Sequence, residues 1–123
     1  MAQTKYPKRT VPGAKSLRVL LVEDDPDART ALQEVLWMRG YFVTTARDGL
    51  EAERIASKRH FDVVVTDFRL PRLDGIDLIR RLARKRNPPA TVLITAYWNP
   101  RTMERGFTVR AAKILIKPFR PEI

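Results

Sequence analysis

The chain contains no cysteine and a single histidine, His60, among its 123 residues. Without thiols there is no disulfide scaffold, thiolate zinc site, iron–sulfur cluster or cysteine nucleophile. With His60 alone, at the end of an expected helix beside Lys58 and Arg59, a histidine-rich metal site has no support, and His60 reads as a surface residue. No apolar run approaches the ~20 residues of a membrane span. The N-terminus lacks the apolar stretch of a secretory signal, so the expected compartment is the cytoplasm with no membrane partner. Acids are missing altogether from residues 1–16, which carry Lys5, Lys8, Arg9 and Lys15.

A hydrophobic fraction of 44% is what a globular domain needs, and the length suits one domain. The net charge is +10 and the sequence pI about 10.7. Much of that excess is local: residues 69–86 carry seven bases against Asp74 and Asp77. An anionic partner would be sought at that stretch and at the first sixteen residues. Neither aromatic interleaving nor a helix-turn-helix pattern supports nucleic-acid binding directly, and a solvated helix face accounts for 80–86 as well.

Prolines, a glycine and the absence of an apolar period make 1–16 a basic flexible tail, followed by one domain over 17–123. L-R-V-L-L-V from Leu17 reads as a strand ending in Glu23, Asp24 and Asp25. Asp25 then caps a helix with Pro26 in its first turn, and Ala28, Ala31, Leu32, Val35 and Leu36 recur on one side. Gly40 ends it as a left-handed cap. A second strand covers 41–46, and the Asp48/Glu51 pair opens a helix from Gly49 to Arg59. A third strand covers 62–66, with continuous valines that suit burial on both faces. Asp74 caps a third helix whose core side is Leu78, Ile79, Leu82 and Ala83. A fourth strand covers 91–95, a weaker helix starts at Asn99-Pro100 with Met103 and Phe107, and a fifth strand covers 113–117. This alternation implies an α/β fold, a parallel sheet with helices on both faces.

In such sheets the ligand site lies at the carboxyl ends of the strands. Those ends present Glu23-Asp24-Asp25, Asp67, Thr95 and Lys117. Hard carboxylate oxygens are what Mg²⁺ takes. Counting Asp24, Asp25 and Asp67 as three negative charges, one Mg²⁺ and Lys117 bring the crevice to neutrality. An aspartate there can attack phosphorus and form an acyl phosphate.

These pieces carry a resemblance. V-E-D-D at 22–25, D-F-R-L-P-R-L-D-G at 67–75, I-T-A at 94–96 and I-K-P-F at 116–119 resemble, in order and interval, the receiver domain of two-component response regulators. The likeness is to the chemotaxis-regulator type and covers about residues 17–119. It implies a flavodoxin-like, doubly wound parallel five-stranded sheet of order 2-1-3-4-5. It further implies Asp67 as phosphoacceptor, with Thr95 and Lys117 contacting the phosphoryl group and a cis peptide before Pro118. Mg²⁺ would be held by the side chains of Asp25 and Asp67 and the Arg69 backbone carbonyl, with Asp24 acting through a water. A histidine kinase or phosphotransfer protein would donate, and a downstream protein or output domain would respond. Such a module is no enzyme toward an outside substrate. Arg69 and Tyr97, two residues past Asp67 and Thr95, would flank the water's approach to phosphorus and slow autodephosphorylation.

Three features depart from the family. Ile114 stands where an aromatic switch residue is usual, which removes that route of output. Arg110 and Lys113 stand before the fifth strand, where small residues are usual. The chain also stops at R-P-E-I, where a fifth helix is expected. The expectation is that the sequence is a fragment of a longer regulator, or else that another chain or element covers the apolar face that helix would bury, a second copy of this chain among them. Two alternatives stand beside the phosphoacceptor: a degenerate receiver acting by protein binding alone, and a basic adaptor for nucleic acid or an acidic protein.

Overall fold

A computed structural model describes residues 17–95 and the strand 113–116. The elements are β1 (Arg18–Val22), α1 (Pro26–Met38), β2 (Phe42–Ala46), α2 (Gly49–Lys58), β3 (Val63–Asp67), α3 (Gly75–Leu82), β4 (Ala90–Thr95) and β5 (Lys113–Ile116). The expected tail, the helix after Asn99-Pro100 and the chain from Lys117 onward lie outside the described residues.

All strand pairs are parallel, and the sheet order is β2-β1-β3-β4-β5. The doubly wound sheet expected from the sequence is therefore present. The chain moves from β1 to β2 in one direction and from β2 through β3 to β4 in the other. Right-handed crossovers then place α1 on one face and α2 and α3 on the opposite one. On the α2/α3 side, Leu20, Val22 and Val64 form one buried cluster with Ala46, Ala52, Ala56, Phe61, Leu78 and Leu82. Ile76, Ile79 and Leu93 form a second.

An isolated helix of eight residues is marginal in water, so packing must hold α3. Ile76, Leu78, Ile79 and Leu82 are all buried, each worth about 2 kcal/mol of transfer free energy. Ala83, expected on the core side, is instead the exposed C-cap. The helix stops at Leu82, five residues short of the Pro88-Pro89 pair expected to end it. The pattern is different for α1. Its apolar side is only half-buried, Ala31 is exposed, and none of its residues is fully buried. Val63, Val65 and Val92 on the same side of the sheet are half-buried too, whereas Val19 and Leu21 are buried.

The caps follow the sequence. Asp25 Oδ2 accepts from the Ala28 N–H at 3.1 Å, Asp48 Oδ1 from Glu51 at 2.8 Å and Asp74 Oδ1 from Asp77 at 2.9 Å. Gly40, at φ +91°, takes the left-handed turn after α1. Boundaries differ slightly: β2 begins at Phe42, α2 ends at Lys58 and β3 extends to include Asp67.

Candidate functional site

The register builds the site. Val22 of β1 stands opposite Thr66 of β3, so the next residue of each strand, Glu23 and Asp67, emerge side by side. Asp67 in turn pairs with Ile94 of β4, which leaves Thr95 one step beyond, in register with Ile116 of β5. Three consecutive strand ends thus converge where the sequence placed them.

The carboxylates that meet are Glu23, Asp24 and Asp67. One oxygen from each lies within 4.8 Å of the others. Glu23 is 2% exposed, Asp67 half-buried and Asp24 exposed. The Glu23 N–H donates to the Ala46 carbonyl at 3.1 Å, which continues the β1–β2 ladder one residue past the strand. Its carbonyl accepts from Arg29 Nη1 at 3.0 Å, a bond from the second turn of α1. Its carboxylate accepts from the Asp25 N–H at 3.3 Å. The acid nearest the strand is therefore drawn into the crevice.

One expected ligand stands apart from this group. Asp25 was expected to offer its side chain to the metal, with Asp24 behind a water. The structure puts Asp25 outside the cluster, exposed and bonded to the first turn of α1. Glu23, given no role above, takes a place in the trio, and Asp24 sits next to Asp67. The physical reason is the helix start: with Pro26 at the first position Asp25 is the cap, and its carboxylate is turned to the Ala28 N–H.

Two glycines, also missed, allow the close approach of loop and helices. A Cβ on Gly75 would lie 2.1 Å from the Asp67 carbonyl oxygen, and a Cβ on Gly49 would lie 2.0 Å from the Leu73 carbonyl oxygen. The Gly75 N–H donates to the Phe68 carbonyl at 2.9 Å, and the Phe68 N–H to Ile94 at 2.8 Å. The loop after β3 is thus tied at both ends around Asp67. Arg72 within it holds φ +72°, and its guanidinium lies 3.8 Å from Asp48 at the start of α2. A close approach of two backbones is a long-range property, so no local pattern in the sequence marks these glycines.

The Arg69 N–H points to Asp67 Oδ1 at 3.4 Å, and its side chain is exposed. A cleft of about 460 Å³ runs from Asp24 past Phe68, Arg69, Leu70 and Pro71 to Asp74. Tyr97, Lys117 and Pro118 lie outside the described residues, as does the expected cis peptide. Of Thr95 and Ile114, the structure gives strand position only.

The model of the response regulator receiver domain matches residues 19–123 of this chain. The chain belongs to that family. It is 41% identical over 103 residues to the transcriptional regulatory protein PdtaR of Mycobacterium tuberculosis, covering 83% of this chain and 50% of that protein. It is 34% identical over 125 residues to a gliding motility regulatory protein of Myxococcus xanthus, covering 95% of this chain and 16% of that one. The receiver domain thus spans half or less of the length of these curated relatives. Among solved structures, the chemotaxis response regulator CheY4 of Vibrio cholerae superimposes with a TM-score of 0.80 at 32% identity, over 88% of this chain and 92% of that one. The receiver domain of a sensor histidine kinase of Pseudomonas aeruginosa gives 0.80 at 31%, over 88% and 90%. That structure holds a magnesium ion coordinated in its active-site cleft. Receiver domains bind Mg²⁺ at an acidic site, and the trio here offers the donor set for it: hard carboxylate oxygens close enough to share one ion. No helix among the described residues is long and apolar enough to cross a membrane.

Proposed function

We propose that this receiver domain accepts a phosphoryl group on Asp67 from a histidine kinase or phosphotransfer protein, in a cytoplasmic relay that ends on a downstream protein or output domain. The observation that carries the reading is the meeting of Asp67 with Glu23 and Asp24 at adjacent strand ends. Asp67 and Asp24 would hold Mg²⁺ by their side chains and Arg69 by its carbonyl, with buried Glu23 beside them. When bound, the ion supplies neutralising charge for phosphoryl oxygens brought against three carboxylates.

The chain's own residues do the rest. An Asp67 carboxylate oxygen forms the new bond to phosphorus as the bond to the donor breaks, and the loop ties at Phe68 and Gly75 hold that carboxylate in place. Thr95 and Lys117 bind the phosphoryl oxygens as hydroxyl and ammonium donors. Arg69 and Tyr97 flank the path of the hydrolytic water and give the acyl phosphate a long life. Phosphate then biases the receiver between two conformers that a partner distinguishes, without turnover of an outside substrate.

The test is intact-mass analysis after incubation with Mg²⁺ and a small-molecule phosphodonor. One phosphoryl adduct is expected, dependent on Mg²⁺ and lost in Asp67→Ala. An adduct that survives Asp67→Ala contradicts the assignment, and no adduct under any donor leaves a receiver that acts by binding alone.

A further inference from the structure

Apart from Arg69 and Lys117, the proposed phosphoacceptor site uses none of the basic residues that dominate the molecule's charge. Between residues 49–60 and 75–86, eight lysines and arginines stand against three acids. The fold gathers these two stretches. Arg81 Nη1 meets Glu53 Oε1 at 2.9 Å, and Lys85 Nζ donates to the Ala56 carbonyl. The contacts advance together along both segments, so α2 and α3 lie parallel, side by side, with their C-terminal ends adjacent.

The pairing sorts the cations. Arg80 is held by Asp77, Arg81 by Glu53 and Lys85 by the end of α2, while Arg59 lies over the Phe61 ring at 5.7 Å. Arg54, Lys58, Arg84 and Arg86 are exposed and have no ion pair among the described residues. Arg54 and Lys58 are one helical turn, about 6 Å, apart on the outer side of α2. Arg84 and Arg86 follow the end of α3. The four form a cationic border around the joined helix ends, on elements anchored by Ala52, Ala56, Leu78 and Leu82.

We propose that this α2–α3 face binds the phosphate backbone of nucleic acid. Two observations favour it over an acidic protein. Stable protein interfaces centre on apolar or aromatic anchors. The exposed large hydrophobics among the described residues are Leu17 and Met38, neither of them on α2 or α3. Backbone binding to a polyanion needs no such anchor, because release of condensed counterions drives it. Arginine also supplies three of the four available cations, and its planar fork matches phosphate oxygens. Such contacts position without reading sequence, so base discrimination is not expected from this face.

The experiment is fluorescence anisotropy with a labelled 20-base-pair duplex of arbitrary sequence, titrated with the full chain between 50 and 200 mM salt. Four phosphate contacts give a log–log slope of about −3.6, roughly a hundredfold weakening over that range. The quadruple variant Arg54→Gln, Lys58→Gln, Arg84→Gln, Arg86→Gln should lose most of the slope and of the affinity at 50 mM salt. All four positions are exposed, and an unchanged circular dichroism spectrum verifies the fold. A companion variant neutralising Lys5, Lys8, Arg9 and Lys15 should keep the greater part of both. No duplex binding at 50 mM salt, or loss confined to the companion variant, overturns the proposal. Tighter binding to polyglutamate than to the duplex also overturns it and makes the face a protein site.

Discussion

Gly75 stands where a single methyl group would collide with the carbonyl oxygen of the proposed phosphoacceptor. A side chain there must displace either the first turn of α3 or Asp67 itself, since Leu93 closes the other side at 3.2 Å. Gly75→Ala is therefore expected to cost about 3 kcal/mol, the upper range for overpacking, with loss of phosphorylation in whatever remains folded. Chemical denaturation of the variant measures the first effect, and a cost below 0.5 kcal/mol would show that the helix start yields freely. The acids before α1 carry the complementary lesson. Three successive carboxylates at 23–25 announce a charged crevice, but spacing alone does not say which of them face it. The cap chemistry around Pro26 was readable and already committed Asp25 to the helix. The remaining discriminator is the Glu23–Ala46 bond, a contact across the sheet that exists only once β1 and β2 pair.

Among the elements, α3 is held by its buried face and not by its charges. The Arg81–Glu53 pair is 49% and 35% exposed at its two side chains, so water and salt screen it, and it contributes about 0–1 kcal/mol. Leu82 is 3% exposed within the main cluster. In urea denaturation, Leu82→Ala should lose about 2–5 kcal/mol while Arg81→Ala loses less than about 1. Equal losses would mean that the interhelical pair secures α3. Strands and helix starts were legible because valine runs and Asp caps act locally. The end of α3 was not, because Arg84 and Lys85 continue in turns, their N–H groups bonding back to Arg81 and Leu82, before the prolines are reached. The half-buried side of α1 was also hidden: a helical apolar stripe shows which way a helix faces, but not how completely the sheet beneath it is covered.

For the whole molecule, parallel order and register turn separated pieces of sequence into one site. Asp24 and Asp67 are 43 residues apart and meet because β1 and β3 are neighbours, with β2 displaced to the edge. The family's motifs made that convergence readable, while the distribution of charge was readable only as composition until α2 and α3 were seen side by side. The same topology separates the acidic crevice, at the carboxyl ends of the strands, from the basic helix ends at the opposite rim. Phosphoryl chemistry and polyanion contact are thereby given different surfaces.

The measurement that tests the account most directly is the yield of phosphoryl adduct, by intact mass, across wild type, Asp24→Asn and Asp25→Asn at one Mg²⁺ and donor concentration. A carboxylate that shares the ion with Asp67 cannot be neutralised without loss, so Asp24→Asn should form adduct at least about tenfold more slowly, a deficit of about 1.4 kcal/mol or more in the barrier. Asp25 serves the helix, so Asp25→Asn should be phosphorylated at close to the wild-type rate, with the amide able to cap in its place. The reverse result, with Asp25→Asn inactive and Asp24→Asn unimpaired, would contradict the site as the structure draws it.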